Sequence, residues 1–301
     1  MKIHPKFSSL ASLLAALAAL AVTASTTQAA LLAYEGFDFP TGNLPMGSGN
    51  GPGGAAPNNG APGFSTGYTL ADGGGNPVVA SSTMAYPGVA ASPNQLNVPG
   101  SVRFGRFLDT SVSGPFDGYL DGSGNIGADG TTLWLAYLFQ AGGTGGTQGF
   151  GLFVDQIRGD GFPRPIVNIG VDNGSFAWRR SADGAGNTWS SLTNGAVNTD
   201  VNLFVLRIDF ASGDDTMRIF LNPDVSAGTP DNASANALIT GYEMSFDAIG
   251  FSTFGQNYSV SSLRIGSDFG SSVVPEPSTL ALGLVGIAAL AIRRRRTRKD
   301  V

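Results

Sequence analysis

Between Leu31 and Val274 apolar residues recur at every second position in short bursts, and turn residues separate the bursts. A period of two is that of a strand with one buried face. It predicts strands over Leu31 to Phe37, Ser101 to Leu108, Thr131 to Gln140, Phe150 to Asp155, Pro165 to Val171, Ser175 to Arg179, Asn202 to Phe210, Thr216 to Leu221, Tyr242 to Phe246 and Tyr258 to Ile265, with a short one near Pro77 to Ser82. Thr131 to Gln140 is apolar at both parities, as a strand buried on both faces would be. The clearest hairpin joins Asn202–Phe210 to Thr216–Leu221. Phe204, Leu206, Ile208 and Phe210 share one face of the first strand, Met217, Ile219 and Leu221 one face of the second, and Gly213 supplies the turn. Helical periodicity is absent here, apart from a short turn near Asn232 to Leu238. The pattern predicts an all-β fold, a two-sheet antiparallel sandwich with these hairpin faces in its inner layer.

Three stretches break the pattern. From Pro40 to Gly63, 13 of 24 residues are Gly or Pro, which excludes a helix or a central strand. Residues 40–100 are therefore expected to form a long irregular surface loop. Near the N-terminus, Lys2 and Lys6 precede an apolar run of 13 residues, Leu10 to Val22, and then Thr27-Gln28-Ala29. This order is that of a secretory signal peptide, residues 1–29, cut by signal peptidase after Ala29 or Ala30. At the other end Val274-Pro275-Glu276-Pro277-Ser278 leads into a 14-residue apolar run, Thr279 to Ile292, closed by Arg293, Arg294, Arg295, Arg296, Arg298 and Lys299. As a helix the run is about 21 Å long, short of the roughly 30 Å hydrocarbon core. Arginine side chains can snorkel and extend it, and the basic cluster holds that end in the cytoplasm as a stop-transfer signal.

The ordered set of Val274, Pro275, Glu276 and Pro277, a short apolar helix with small residues (Gly283, Gly286, Ala288, Ala289) and a terminal arginine cluster resembles the PEP-CTERM sorting signal. The resemblance covers residues 274–299: motif 274–278, helix 279–292, basic tail 293–299. It implies a Gram-negative, exopolysaccharide-making bacterium and recognition by an exosortase, a membrane transpeptidase-like enzyme. That enzyme removes the anchor near Pro275-Glu276-Pro277 and passes the protein to the cell surface or extracellular matrix. The C-terminal transmembrane helix is then a transient inner-membrane anchor.

Removing both ends changes the charge picture. The chain as a whole carries a formal net charge of −5, but the exported part keeps nine arginines against twenty carboxylates, a net −11. Nucleic acid is an unsuitable partner for it. It also has no Cys, His or Lys, which excludes Ser-His-Asp and Cys-His catalysis, Schiff bases and imidazole or thiolate zinc sites. Without disulfides, stability must come from the core.

Glu35-Gly36-Phe37-Asp38, Arg106-Phe107-Leu108-Asp109, Thr131 to Leu135, Val205 to Phe210 and Leu263-Arg264-Ile265-Gly266, in this order, resemble the concanavalin-like, LamG-type jelly rolls. The resemblance covers most of 31–270. It implies a jelly-roll sandwich of a kind that serves lectins, calcium-dependent adhesion modules and glycoside hydrolases, and the fold does not choose among them. The exported part has only two glutamates, Glu35 and Glu243, and lacks the Glu-x-Asp-x-x-Glu strand of jelly-roll glucanases, so no catalytic residue is assigned. A structural or glycan-binding module is the leading reading, with exopolysaccharide as candidate partner; a divergent glycoside hydrolase using Asp and Glu is the alternative. Trp178 and Trp189, in polar settings, are candidate glycan contacts, whereas Trp134 reads as core. No cofactor is assigned. Asp214 and Asp215, with Asp117, Asp121 and Asp172, are the weak candidates for Ca2+, and a turn-stabilising role is the plainer reading of each.

Overall fold

The computed structural model describes residues 29–48, 59–155, 166–180 and 188–273. The signal-peptide segment before Ala29, the motif Val274 to Pro277, the run 279–292 and Arg293 to Arg296 lie outside the described residues. Among the described residues no helix is long and apolar enough to cross a membrane.

In chain order the elements are β1 (Leu31–Glu35), β2 (Gly42–Asn43), β3 (Met46–Ser48), β4 (Tyr68–Gly73), β5 (Val78–Ser81), β6 (Asn94–Val98), β7 (Val102–Phe107), β8 (Thr132–Ala141), β9 (Thr147–Phe153), β10 (Val167–Asp172), β11 (Ser175–Arg180), β12 (Ser190–Ala196), β13 (Val201–Asp209), β14 (Thr216–Leu221), β15 (Ala237–Ile239), β16 (Ala248–Phe254), β17 (Tyr258–Gly266) and the helix α1 (Phe269–Val273). One sheet, called A, runs β15-β14-β13-β8-β17-β6-β5-β2, with β1 also on β17. The other, B, runs β12-β11-β10-β9-β16-β7-β4-β3. The ladders are antiparallel, with β3 against β4 the parallel exception. The chain changes sheet at β2–β3, β4–β5, β6–β7, β7–β8, β8–β9, β12–β13, β15–β16 and β16–β17, so many strands adjacent in sequence lie in opposite sheets. This two-sheet jelly-roll sandwich is the expected fold class.

The interior is aromatic. Tyr137 stacks on Phe204 at 5.2 Å and meets Phe150 of the opposite sheet at 5.0 Å. Phe204, Leu206, Ile208, Phe210, Met217 and Ile219 all belong to this interior cluster, as the hairpin pattern predicts. A second cluster covers part of the outer face of sheet A: Trp134, Leu138, Leu203, Val205 and Phe220 are roofed by Met84, Phe269 and Val273. β8 is thus buried on both faces over this stretch, which explains its doubly apolar sequence.

Two expectations are corrected. Residues 40–100 are no irregular loop: besides β5, which is the short strand expected near Pro77 to Ser82, they contain β2, β3, β4 and β6. Leu96 and Val98 face the interior, while Asn94, Gln95 and Asn97 carry residue types depleted in strands, and that mixture hides β6. Tyr242 to Phe246 is not a strand. Tyr242, Met244 and Phe246 are buried alternately, but the Met244 N–H goes to the Asp215 carboxylate, and only Phe246 forms a bridge, to Ile126. The strand of this region is β16, whose glycine at 250 lies against Phe104 O and the Phe153 ring.

Candidate functional site

Position 97 of β6, 259 of β17 and 140 of β8 fall in one row across sheet A, because Ser259 is the register partner of both Asn97 and Gln140. Their neighbours Leu96, Val98, Phe139, Ala141, Tyr258 and Val260 all face the interior, so the three polar side chains face outward. Loop residues Thr199 and Asn257 stand at the end of the row and complete an open cleft of about 430 Å3. That volume falls in the roughly 300–1,000 Å3 typical of small-molecule sites.

The cleft's side chains are held by hydrogen bonds to neighbouring side chains and to the backbone. Asn97 Oδ1 accepts from Ser259 Oγ at 2.7 Å and from Gln95 Nε2 at 2.8 Å, which turns the Asn97 Nδ2 group outward. Gln140 Nε2 donates to Thr199 O at 2.9 Å, leaving its Oε1 as an acceptor. Asn257 Oδ1 accepts from Gly100 N at 2.8 Å, and its carbonyl accepts from Gly142 N at 2.9 Å. Position 142 must be glycine for this approach, since a Cβ there would stand 2.5 Å from Asn257 O. The Tyr258 ring is interior; its hydroxyl donates to Gly149 O, and burial holds its pKa well above the usual value. The cleft therefore offers amide donors, an amide acceptor and hydroxyls, and the one titratable side chain in its lining, Tyr258, gives its hydroxyl to Gly149 O. Groups of this kind can exchange hydrogen bonds with neutral polar groups.

β17 and β8 both run from this cleft to α1: Ser259 and Gln140 line the cleft, while Gly266 and Trp134 contact α1. At about 3.3 Å per residue, the six residues from Gln140 to Trp134 put the cleft and the α1 contact about 20 Å apart, toward opposite ends of β8. Ala30 exchanges two hydrogen bonds with Ser267, so the N-terminal junction emerges beside the C-terminal one.

The other sequence candidates stand elsewhere. Trp178 pairs with Ile169 and packs on the interior cluster. Trp189 is half-buried before β12, with the Arg179 guanidinium 4.8 Å from its ring centre. Neither lines the cleft. Asp214 is exposed, whereas both Asp215 oxygens accept backbone N–H groups, from Ala211 and Met244, closing the β13–β14 turn. Burial of Asp215 raises its pKa. Asp121 caps its own turn through Ser123 and Asn125 and accepts from Ser245 Oγ. Asp172 accepts from Thr147 Oγ1, and Asp117 is exposed in a 3₁₀ turn. Among the described residues no three acidic side chains are grouped to hold a metal ion. Asn97, Gln140, Thr199, Asn257 and Ser259 are what the sequence reading missed. The available signal was a single polar position in otherwise apolar strands, Gln140 in β8 above all.

Two carboxylate sites lie outside the cleft. Glu35 is fully buried in an ion pair with Arg106, accepts from Tyr68 OH at 3.0 Å and from Phe37 N at 2.7 Å, and ties β1 of sheet A to β7 of sheet B. Asp247 accepts from Asp155 N at 3.0 Å; burial, joined by the Asp155 charge, raises its pKa to about 6.

The protein is thus an all-β jelly-roll sandwich with an uncharged polar cleft. Its C-terminal segment, residues 273–296, matches the PEP-CTERM protein-sorting motif. No curated protein matches the chain. Similar solved structures include a bifunctional GH43-CE protein of Bacteroides eggerthii (11% identity, 58% of this chain and 23% of that one, TM-score 0.34). They also include a Trypanosoma rangeli sialidase in complex with a difluoro-KDN ligand (11%, 68% and 28%, TM-score 0.34) and a Lotus tetragonolobus seed lectin (10%, 65% and 97%, TM-score 0.34). The chain spans about a quarter of the length of the first two.

Proposed function

We propose that this protein is an exported, cell-surface glycan-binding module: an exosortase sorts it through its C-terminal motif, and its cleft takes a neutral segment of extracellular polysaccharide. One observation carries the reading, the outward row of Asn97, Ser259 and Gln140, with Ser259 bonded to Asn97 and Gln140 held by the Thr199 carbonyl. Amides so fixed can exchange paired hydrogen bonds with vicinal hydroxyls without first being ordered, and pre-organisation is what turns polar contacts into affinity. The position of the cleft, at the end away from both chain junctions, supports display toward the matrix rather than the membrane. A glycan array probed with the exported protein tests this. Neutral polysaccharides should bind, charged ones should not be preferred, and Gln140→Ala with Asn97→Ala should abolish the signal while the melting temperature holds. Equal binding by the double variant contradicts the assignment of the site.

One observation favours a glycosidase as second reading: the Asp155–Asp247 pair, with Asp247 protonated near pH 6 as a general acid would be. If that reading holds, hydrolysis of a bound polymer is lost in Asp247→Asn; if the binding reading holds, the polymer is recovered intact from the wild type.

A further inference from the structure

The cleft is one part of a longer row. Asn97 is paired in register with Val78 of β5 as well as with Ser259, and Val78 is paired in turn with Asn43 of β2. Leu44 and Val79, the residues that follow Asn43 and Val78, belong to the interior, so Asn43 and Val78 point outward with Asn97. Asn43 is exposed, and Val78 is one of four large apolar side chains exposed among the described residues. From Asn43 the row therefore reads Asn, Val, Asn, Ser, Gln as it crosses β2, β5, β6, β17 and β8. Four strand spacings of about 4.8 Å give it a length of about 19 Å.

This face of sheet A is shut one step further along the strands. The next outward positions are Gln95 on β6, Ser261 on β17, Leu138 on β8 and Leu203 on β13, and all four are buried. Gln95 Oε1 accepts from Thr83 N at 2.9 Å, at the start of the segment that carries Met84 onto the outer apolar cluster. On the other side the strands end in the turns that hold Pro99, Gly142 and Asn257. A chain molecule lying on the row has no room to run along the strands and must run across them. Toward β13 the row meets Val201, which packs on the outer cluster; toward β5 and β2 it continues to the sheet edge.

We propose that the cleft is the inner end of a groove about 19 Å long, with Val78 and Asn43 as its outer contacts, and that its ligand is a linear, neutral polysaccharide chain laid across the strands. The inference rests on the glycan-binding reading above and adds to it a length and a direction. A pyranose ring advances a linear chain by about one strand spacing, so the groove takes about four sugar units. Such a ring carries hydroxyls on its rim and C–H groups on its face. Amides at 43 and 97 suit the rim, and the Val78 methyl groups between them suit the face, where apolar surface of both partners is buried. A monosaccharide reaches only part of this set, so affinity builds with chain length.

Calorimetric titration of the exported protein with size-fractionated fragments of the producing cell's neutral polysaccharide tests this. Affinity should rise about tenfold or more from fragments of about two units to fragments of about four, and then level off. Asn43→Ala combined with Val78→Ser should remove that gain, about tenfold, while leaving two-unit binding and the melting temperature as they are. Gln140→Ala should weaken binding at both lengths. Equal affinity for the shorter and the longer fragments, or wild-type affinity of the double variant for the longer ones, overturns the inference. Failure of fragments of every length to bind instead overturns the glycan-binding reading itself, and the two failures are distinct.

Discussion

At the scale of single residues, the buried carboxylates do opposite work. Glu35 is held inside the sandwich by Arg106, Tyr68 and the Phe37 N–H, which surround it. Removing one partner of such a pair costs more than the pair contributes, so its role is to fix how β1 crosses the core. For Asp247, burial raises the pKa from 3.8 to about 6. The folded protein therefore binds this proton more tightly than the unfolded chain, and the associated stability is fully present below about pH 4 and lost as pH rises through about 6. Asp247→Asn should flatten the melting-temperature profile between pH 4 and 7 and raise the melting temperature at pH 7.5. An unchanged slope contradicts this. Little of this was legible in the sequence, where Glu35 and Asp247 are two carboxylates among twenty. Arg106, Tyr68 and Asp155 reach them only through folding.

Among the elements, strands whose apolar residues alternate cleanly were visible, and strands with another organisation were not. β13, from Phe204, and β14 each keep one parity continuously apolar, so their inner face and turn followed from spacing, although Leu203, Val205 and Phe220 of the other parity are buried as well. β6, β12 and the short strands between 40 and 100 carry Asn, Ser and Gly, whose turn preferences mask a strand that sheet neighbours stabilise. β12 also bulges at Asn194, where φ is +58°, which breaks its period. The open edge shared by the two sheets is closed by one side chain that no local pattern marks. Asn236 Oδ1 accepts from Leu221 N at 2.7 Å, its Nδ2 donates to Thr193 O at 2.8 Å, and its carbonyl accepts from Thr193 N. Asn236→Ala should lower stability by about 1–3 kcal/mol, the usual cost of two such bonds, measured by denaturant unfolding. A loss below a few tenths of a kcal/mol would show that water replaces them without cost.

For the whole molecule, the sequence disclosed the address and the fold class, while the cleft had to wait for the register. The C-terminal motif carries its information in contiguous residues, so Pro275, Glu276 and Pro277 can be read directly. The row of Asn97, Ser259 and Gln140 joins residues as far apart as 162 positions, and only strand pairing makes them neighbours. Its location also gives the molecule a direction, with both junctions at one end and the cleft at the other. The net charge of −11 on the exported part plays no role in the cleft, whose lining is neutral. The central claim is that this lining recognises hydroxyl-rich glycan. The most direct measurement is a nuclear magnetic resonance titration of the exported protein with fragments of the producing cell's own polysaccharide, following the side-chain amide signals. The Asn97, Gln140 and Asn257 signals should shift together and saturate at one ligand per protein, with Asn236 unmoved. Saturating shifts elsewhere, with those three unmoved, would contradict it.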